Sequence, residues 1–210
     1  SAPTCNDCHG NHGAAPPGIS WVGNVCGQCH PINAELFGKS RHGQLFVQMG
    51  IPGCATCHSN HEILETSDAM LGVGDKAICG NCHTPQDTGG KTAVAMWETI
   101  ERLRTDYEAA HATLAKAENA GMEVSQPLFD LNGAKTALVK ARASIHGFSL
   151  DSVNAEVKPG LEISDKARAR GVRALDELQF RRKGLAVSVL VILALVVGLI
   201  LKIRQMERKP

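Results

Sequence analysis

All eight cysteines of this chain fall into one pattern, written four times: Cys5-Asn6-Asp7-Cys8-His9, Cys26-Gly27-Gln28-Cys29-His30, Cys54-Ala55-Thr56-Cys57-His58 and Cys79-Gly80-Asn81-Cys82-His83. Two thiols three residues apart reach the two vinyl groups of one porphyrin. The residue that follows then lies under the iron, where its imidazole is the proximal ligand. The pattern therefore predicts four covalently attached haem c groups, held by Cys5, Cys8, Cys26, Cys29, Cys54, Cys57, Cys79 and Cys82, with His9, His30, His58 and His83 on iron. Zinc ribbons also pair CxxC motifs, but they do not require a histidine after every pair. Disulfides would need the same thiols.

A cofactor-filled interior is also what the composition of this stretch demands. Residues 1–90 contain only Trp21, Phe37 and Phe46 as aromatic residues, too few large apolar side chains for an ordinary core of that length. The stretch is rich in Gly, Pro and Asn and shows no sustained helical period, so it reads as loops and short turns. It holds three basic residues against seven acidic ones. Nucleic acid is excluded as a partner, because binding it needs a basic surface; a basic redox partner is the expectation.

The motifs also form a repeat. Cys5-x-x-Cys-His-Gly-Asn-His12 precedes Cys26, and Cys54-x-x-Cys-His-Ser-Asn-His61 precedes Cys79. The unit is a two-haem module occurring twice. Ser40-Arg41-His42-Gly43 stands twelve residues ahead of the second module; the first module shows no counterpart, so a preceding segment or another chain is expected to supply that ligand. Ser1 reads as a processed or trimmed terminus, since c-type haems are attached after export.

Of nine histidines, five lie outside the motifs: His12, His42, His61, His111 and His146. His12 and His61 are too close in sequence to their own proximal histidines to cross the same porphyrin, so each is expected on a neighbouring haem. For the last iron His146 is preferred, because a helix running back from the far end returns it toward the haems. His111, on an apparent apolar face with Tyr107 and Leu114, is the alternative and reads as a core histidine. Met49 and Met70 read as packing residues.

Beyond residue 90 the character changes. Trp97, Ile100, Leu103, Tyr107, Ala110, Leu114 and Ala117 recur at steps of three and four, the mark of an amphipathic helix, ended by Gly121. Leu131, Ala134, Leu138, Ala141 and Ile145 mark a second, ended by Gly147. A third begins at Asp151 or Ser152 and runs through Pro159, Leu161, Leu175 and Leu178. Residues 184–201 carry no charge and as a helix span ~27 Å, enough for a bilayer core. The expected organisation is a haem-packed, mostly irregular or short-helical tetrahaem domain (1–90), an all-α helical bundle or stalk (91–183), one transmembrane helix (184–203) and a cytoplasmic tail (204–210). The haems then sit on the extracytoplasmic side of the cytoplasmic membrane.

The CxxCH motifs, the CHxNH elements and the SxHG segment resemble the multihaem c-type cytochrome superfamily, including its tetrahaem members with doubled CxxCH motifs. The resemblance covers residues 1–90. It implies bis-histidine ligation with His12, His42 and His61 as distal ligands, and haems in closely stacked pairs. It implies electron transfer between redox partners such as cytochrome b-type or other c-type subunits of a respiratory or photosynthetic complex, and no catalytic residue. Two alternatives stand beside it: a quinol dehydrogenase feeding a periplasmic reductase, and an enzyme with one open haem acting on a small nitrogen or sulfur compound. The anchored members of the family carry their helix at the N-terminus, whereas here it is C-terminal.

Overall fold

The computed structural model describes residues 3–12 and 24–207. Among them there is no strand. Five short helices come first: α1 (Cys5–His9), α2 (Cys26–Cys29), α3 (Pro31–Lys39), α4 (Arg41–Met49) and α5 (Gly53–His58). Two 3-10 turns follow, Asp68–Met70 and Ile78–Asn81, then three long helices: α6 (Thr88–Asn119), α7 (Ser125–Ser144) and α8 (Leu150–Glu207). The chain divides into two compact units, Ser1–Glu108 with Asn132–Ser164, and Ala109–Leu131 with Asp165–Pro210.

The first unit has its side-chain core on the long helices. Met96, Ile100 and Leu103 of α6 meet Ala137, Leu138 and Ala141 of α7 and Val153 and Val157 of α8, with Leu71, Ile145, Leu150 and Leu161 packed around them. Each fully buried Leu, Ile or Val contributes about 1.5–3 kcal/mol. The three helices approach closely at Gly160, where a Cβ would stand 2.9 Å from both Ala137 Cβ and the Leu103 methyl groups. In the second unit Ala110, Leu114, Ala117, Val124, Leu131 and Ala167 are buried, and Gly171 lies against Thr113 and Leu114.

The helix ends follow from local chemistry. After α6, Gly121 takes a left-handed conformation (φ 82°). Its N–H bonds Glu118 O at 2.8 Å and the Met122 N–H bonds Ala117 O at 3.0 Å, the paired bonds of a Schellman motif. After α7 the helical run ends at Gly147, through a 3-10 turn, Ile145–Gly147, and Phe148 takes φ 52°. One expectation is corrected: the cap of α8 is Ser149, not Asp151 or Ser152; its Oγ accepts from Ser152 N at 3.3 Å. Helix α8 runs on unbroken through the apolar segment to Glu207. Pro159 lies inside it, past the first turn, where it removes one ladder hydrogen bond.

From Leu185 to Met206 the large apolar side chains of α8 are exposed. Among the described residues this is the helix long and apolar enough to cross a bilayer. An exposed apolar run of that length needs a medium other than water.

Candidate haem sites

A CxxCH sequence folds locally so that all three functional side chains share one side. In a helical turn, residues i, i+3 and i+4 line the same face. Three motifs adopt such a turn as α1, α2 and α5, and the fourth begins in the 3-10 turn Ile78–Asn81. The equivalent turns of the two modules close alike. Gly10 N bonds Asn6 O and Ser59 N bonds Ala55 O, both at 2.9 Å, and both residues take positive φ, 69° and 64°. Asp7 accepts from Thr4 N at 2.7 Å and fixes the start of α1. Thr56 Oγ1 donates back to Pro52 O in α5.

The Ser40-Arg41-His42-Gly43 segment has a structural logic. Ser40 caps α4, its Oγ accepting from Gly43 N at 3.0 Å while donating to Phe37 O at 2.6 Å. A Cβ on Gly43 would fall 2.1 Å from Phe37 O, so only glycine lets α3 and α4 join this tightly. His42 is thereby set on the first turn of α4. Its ring stacks on Phe148 at 3.9 Å and 25°, and meets Phe46 edge-on at 5.9 Å.

Three motif histidines face a second imidazole. His9 and His61 have ring centres 6.0 Å apart and planes 18° apart. His58 and His146 stand at 6.1 Å and 21°, and His42 and His83 at 5.9 Å and 67°. Imidazoles on opposite faces of one metal, with bonds of about 2 Å and ring centres about 1.1 Å beyond the nitrogens, have centres about 6 Å apart. The residues present therefore fit six-coordinate haem at these three positions. Burial, and secondarily the neighbouring His83, holds His42 below the usual imidazole range. Burial, then His146 and His30, does the same for His58. Both shifts favour the neutral ring that can bind a metal. Burial also pushes the Cys54, Cys57 and Cys79 thiols up.

The imidazoles are themselves held. His146 Nδ1 lies 3.0 Å from Ala143 O, an acceptor that leaves the other nitrogen free for a metal. His83 Nδ1 lies 3.1 Å from Asp87 Oδ1. Asp87 also accepts from Gly90 N (2.8 Å) and Thr84 N (2.6 Å), so it caps α6 and grips His83 at once. Those two backbone donors hold its carboxyl far below the usual carboxylate range. A Cβ on Gly89 would overlap the His83 ring at 2.2 Å, which explains why glycine stands there.

The other expected residues are placed differently. His30 and His12 are exposed, and among the described residues neither faces another imidazole as the three pairs do. His111 is exposed on α6, which corrects the reading of it as a core histidine. Met49 is 67% exposed and packs little. Trp97, expected on the inward face of α6, is 38% exposed at its edge.

Sequence reasoning missed Phe148 and Asp87. The signal for Asp87 was present: a carboxylate four residues after a motif histidine, directly ahead of a helix start. Phe148 carried none, since its role depends on a left-handed backbone reached only in three dimensions.

The family model described as the doubled CXXCH motif matches residues 47–88, which hold the third and fourth motifs. Comparison with curated proteins and with solved structures found no match. The CXXCH motif indicates haem c binding, and its doubling suggests a multihaem c-type cytochrome that carries electrons.

Proposed function

We propose that this chain carries four haem c groups and works as a membrane-anchored electron-transfer subunit of a larger respiratory or photosynthetic complex. The observation that carries the reading is the set of three histidine pairs near 6 Å, each joining a CXXCH histidine to one from another part of the chain. His9 with His61, His58 with His146 and His83 with His42 are the proposed axial pairs, and the eight cysteines form the thioethers. Bound haem supplies an iron that cycles between Fe(III) and Fe(II). The protein's share is to fill the sixth positions with imidazole, which leaves no iron coordination site for a substrate at these haems and holds their potentials low. Phe148 and Phe46 fix the plane of His42, and Asp87 fixes that of His83.

Residues 184–203 are the proposed anchor, with the haem-bearing part outside the cytoplasmic membrane and residues 204–210 in the cytoplasm. A b-type or c-type redox subunit with a basic face suits the acidic balance of residues 1–90, by electrostatic steering.

The test is potentiometry and electron paramagnetic resonance on the purified, haem-loaded chain. Haem content of four per chain, with low-spin bis-histidine signals titrating at low potential, is expected. Fast reduction by a quinol in liposomes holding this chain alone would replace the reading with a quinol dehydrogenase.

A further inference from the structure

The histidine pairs follow a register, and the register does not close within this chain. Within the second module, His83 of its second motif faces His42, which stands twelve residues ahead of the module on the SxHG segment. His61, the last residue of that module's CHxNH element, faces neither motif of its own module. It faces His9, the first motif of the module before. Each module thus sends its CHxNH histidine backward, and takes an SxHG histidine from just ahead of itself.

Applied one module earlier, the same register leaves two groups over. His12 is the counterpart of His61: both follow a motif histidine by three residues, after a residue of positive φ closing the same turn. Its iron would belong to a module before this one. His30 is the counterpart of His83, and its partner would be an SxHG histidine ahead of Cys5. Among the described residues neither ring faces another imidazole as His9, His58 and His83 do. At the other end the register is closed. His58, which a following module's CHxNH histidine would serve, faces His146 of the turn after α7 instead.

Resting on the axial pairs proposed above, we infer that His12 and His30 form the open end of a longer haem array. His12 is the sixth ligand of a haem on a further doubled-CXXCH module, and that module's SxHG histidine is the sixth ligand of the haem held by His30. The helical region, through His146, terminates the array. The adjoining module is either more of this polypeptide or a second haem-bearing chain; the ligand chemistry is the same.

The experiment counts haem spin states by magnetic resonance, in the haem-loaded chain of this sequence and in native membranes. In the isolated chain three of the four haems are expected low-spin and one high-spin, and added imidazole converts the last to low-spin. His12→Ala leaves the count of low-spin haems unchanged, whereas His61→Ala lowers it by one. In native membranes all are low-spin. Haem staining after denaturing electrophoresis then separates the sources: one longer haem-stained polypeptide carrying this sequence, or a second one that co-purifies. Four low-spin haems in the isolated chain, one of them lost in His12→Ala, would show that His12 serves His30 internally and overturn the inference. So would a high-spin haem that persists in native membranes and binds cyanide, the behaviour of an open catalytic site, or the absence of any further haem-bearing segment. Fewer than three low-spin haems in the isolated chain would instead strike the axial pairs on which the inference rests.

Discussion

In residues 88–164 the interior is built from Ile100, Leu103, Leu138, Val153 and Val157. In the described residues from 3 to 87 Ala77 is the one apolar side chain that is buried; Leu36, Phe37, Phe46 and Leu71 are only half-buried, and Ile32, Val47, Met49, Ile63 and Leu64 stand in solvent. Yet both stretches contribute to the same compact unit. The difference teaches where each draws its stability. The long helices bury enough hydrocarbon to offset their conformational entropy. The short helices α1 to α5, at four to nine residues each, are below the length at which a helix persists unaided. They need a filler, and the CXXCH motifs of α1, α2 and α5 point to haem c.

The strongest way to break this contrast is to withhold haem. Produced without haem attachment, the chain is expected to be clipped by protease throughout residues 3–87, while a fragment starting near Thr88 resists. Uniform resistance along the chain would show that the first stretch holds itself together. Next in size is the core. Leu103→Ala should lower stability by about 2–5 kcal/mol in thermal or denaturant unfolding. Leu64→Ala, at an 80% exposed position, should lie within about 0.5 kcal/mol of the parent. If the two effects were equal, the division between a side-chain core and a cofactor core would fail.

Two smaller effects sharpen the comparison at the boundary. His146→Met would replace imidazole by thioether opposite His58, and should raise the potential of one haem in a redox titration while the others hold. Asp87 belongs to both stretches, gripping His83 and capping α6. Asp87→Ser retains a capping oxygen but is too short for His83. Removing the carboxylate takes away a charge that favours Fe(III), so that haem's potential should rise, by something on the order of 50 mV, about a tenfold change in a one-electron equilibrium. Helix content, read by circular dichroism, should not change. A potential unmoved in Asp87→Ser would reduce Asp87 to a helix cap.

The same contrast explains what was legible beforehand. The cysteine motifs are covalent chemistry with fixed spacing, so they can be read from one line of sequence. The apolar period from Ile100 to Ala117 is a property of helix geometry and reads as directly. Helices α3 and α4 escaped because nine residues each, interrupted by Gly38 and Gly43, are too short to sustain a period. The stacking of Phe148 on His42 is tertiary, joining residues a hundred positions apart in sequence. The continuity of α8 was hidden by its change of composition near Arg181, which alters what surrounds a helix without altering its backbone preference.

The placement of His146 has a consequence for folding. In the proposed reading an iron held between His58 and His146 would tie the second module to the turn after α7. It would be a reversible cross-link closing a loop of roughly ninety residues, and in a chain-entropy estimate such a closure restricts the unfolded ensemble by about 4–5 kcal/mol. Unlike a disulfide, this link opens whenever a competing small ligand takes the iron. A strong exogenous ligand at that haem should therefore loosen helices that it never touches.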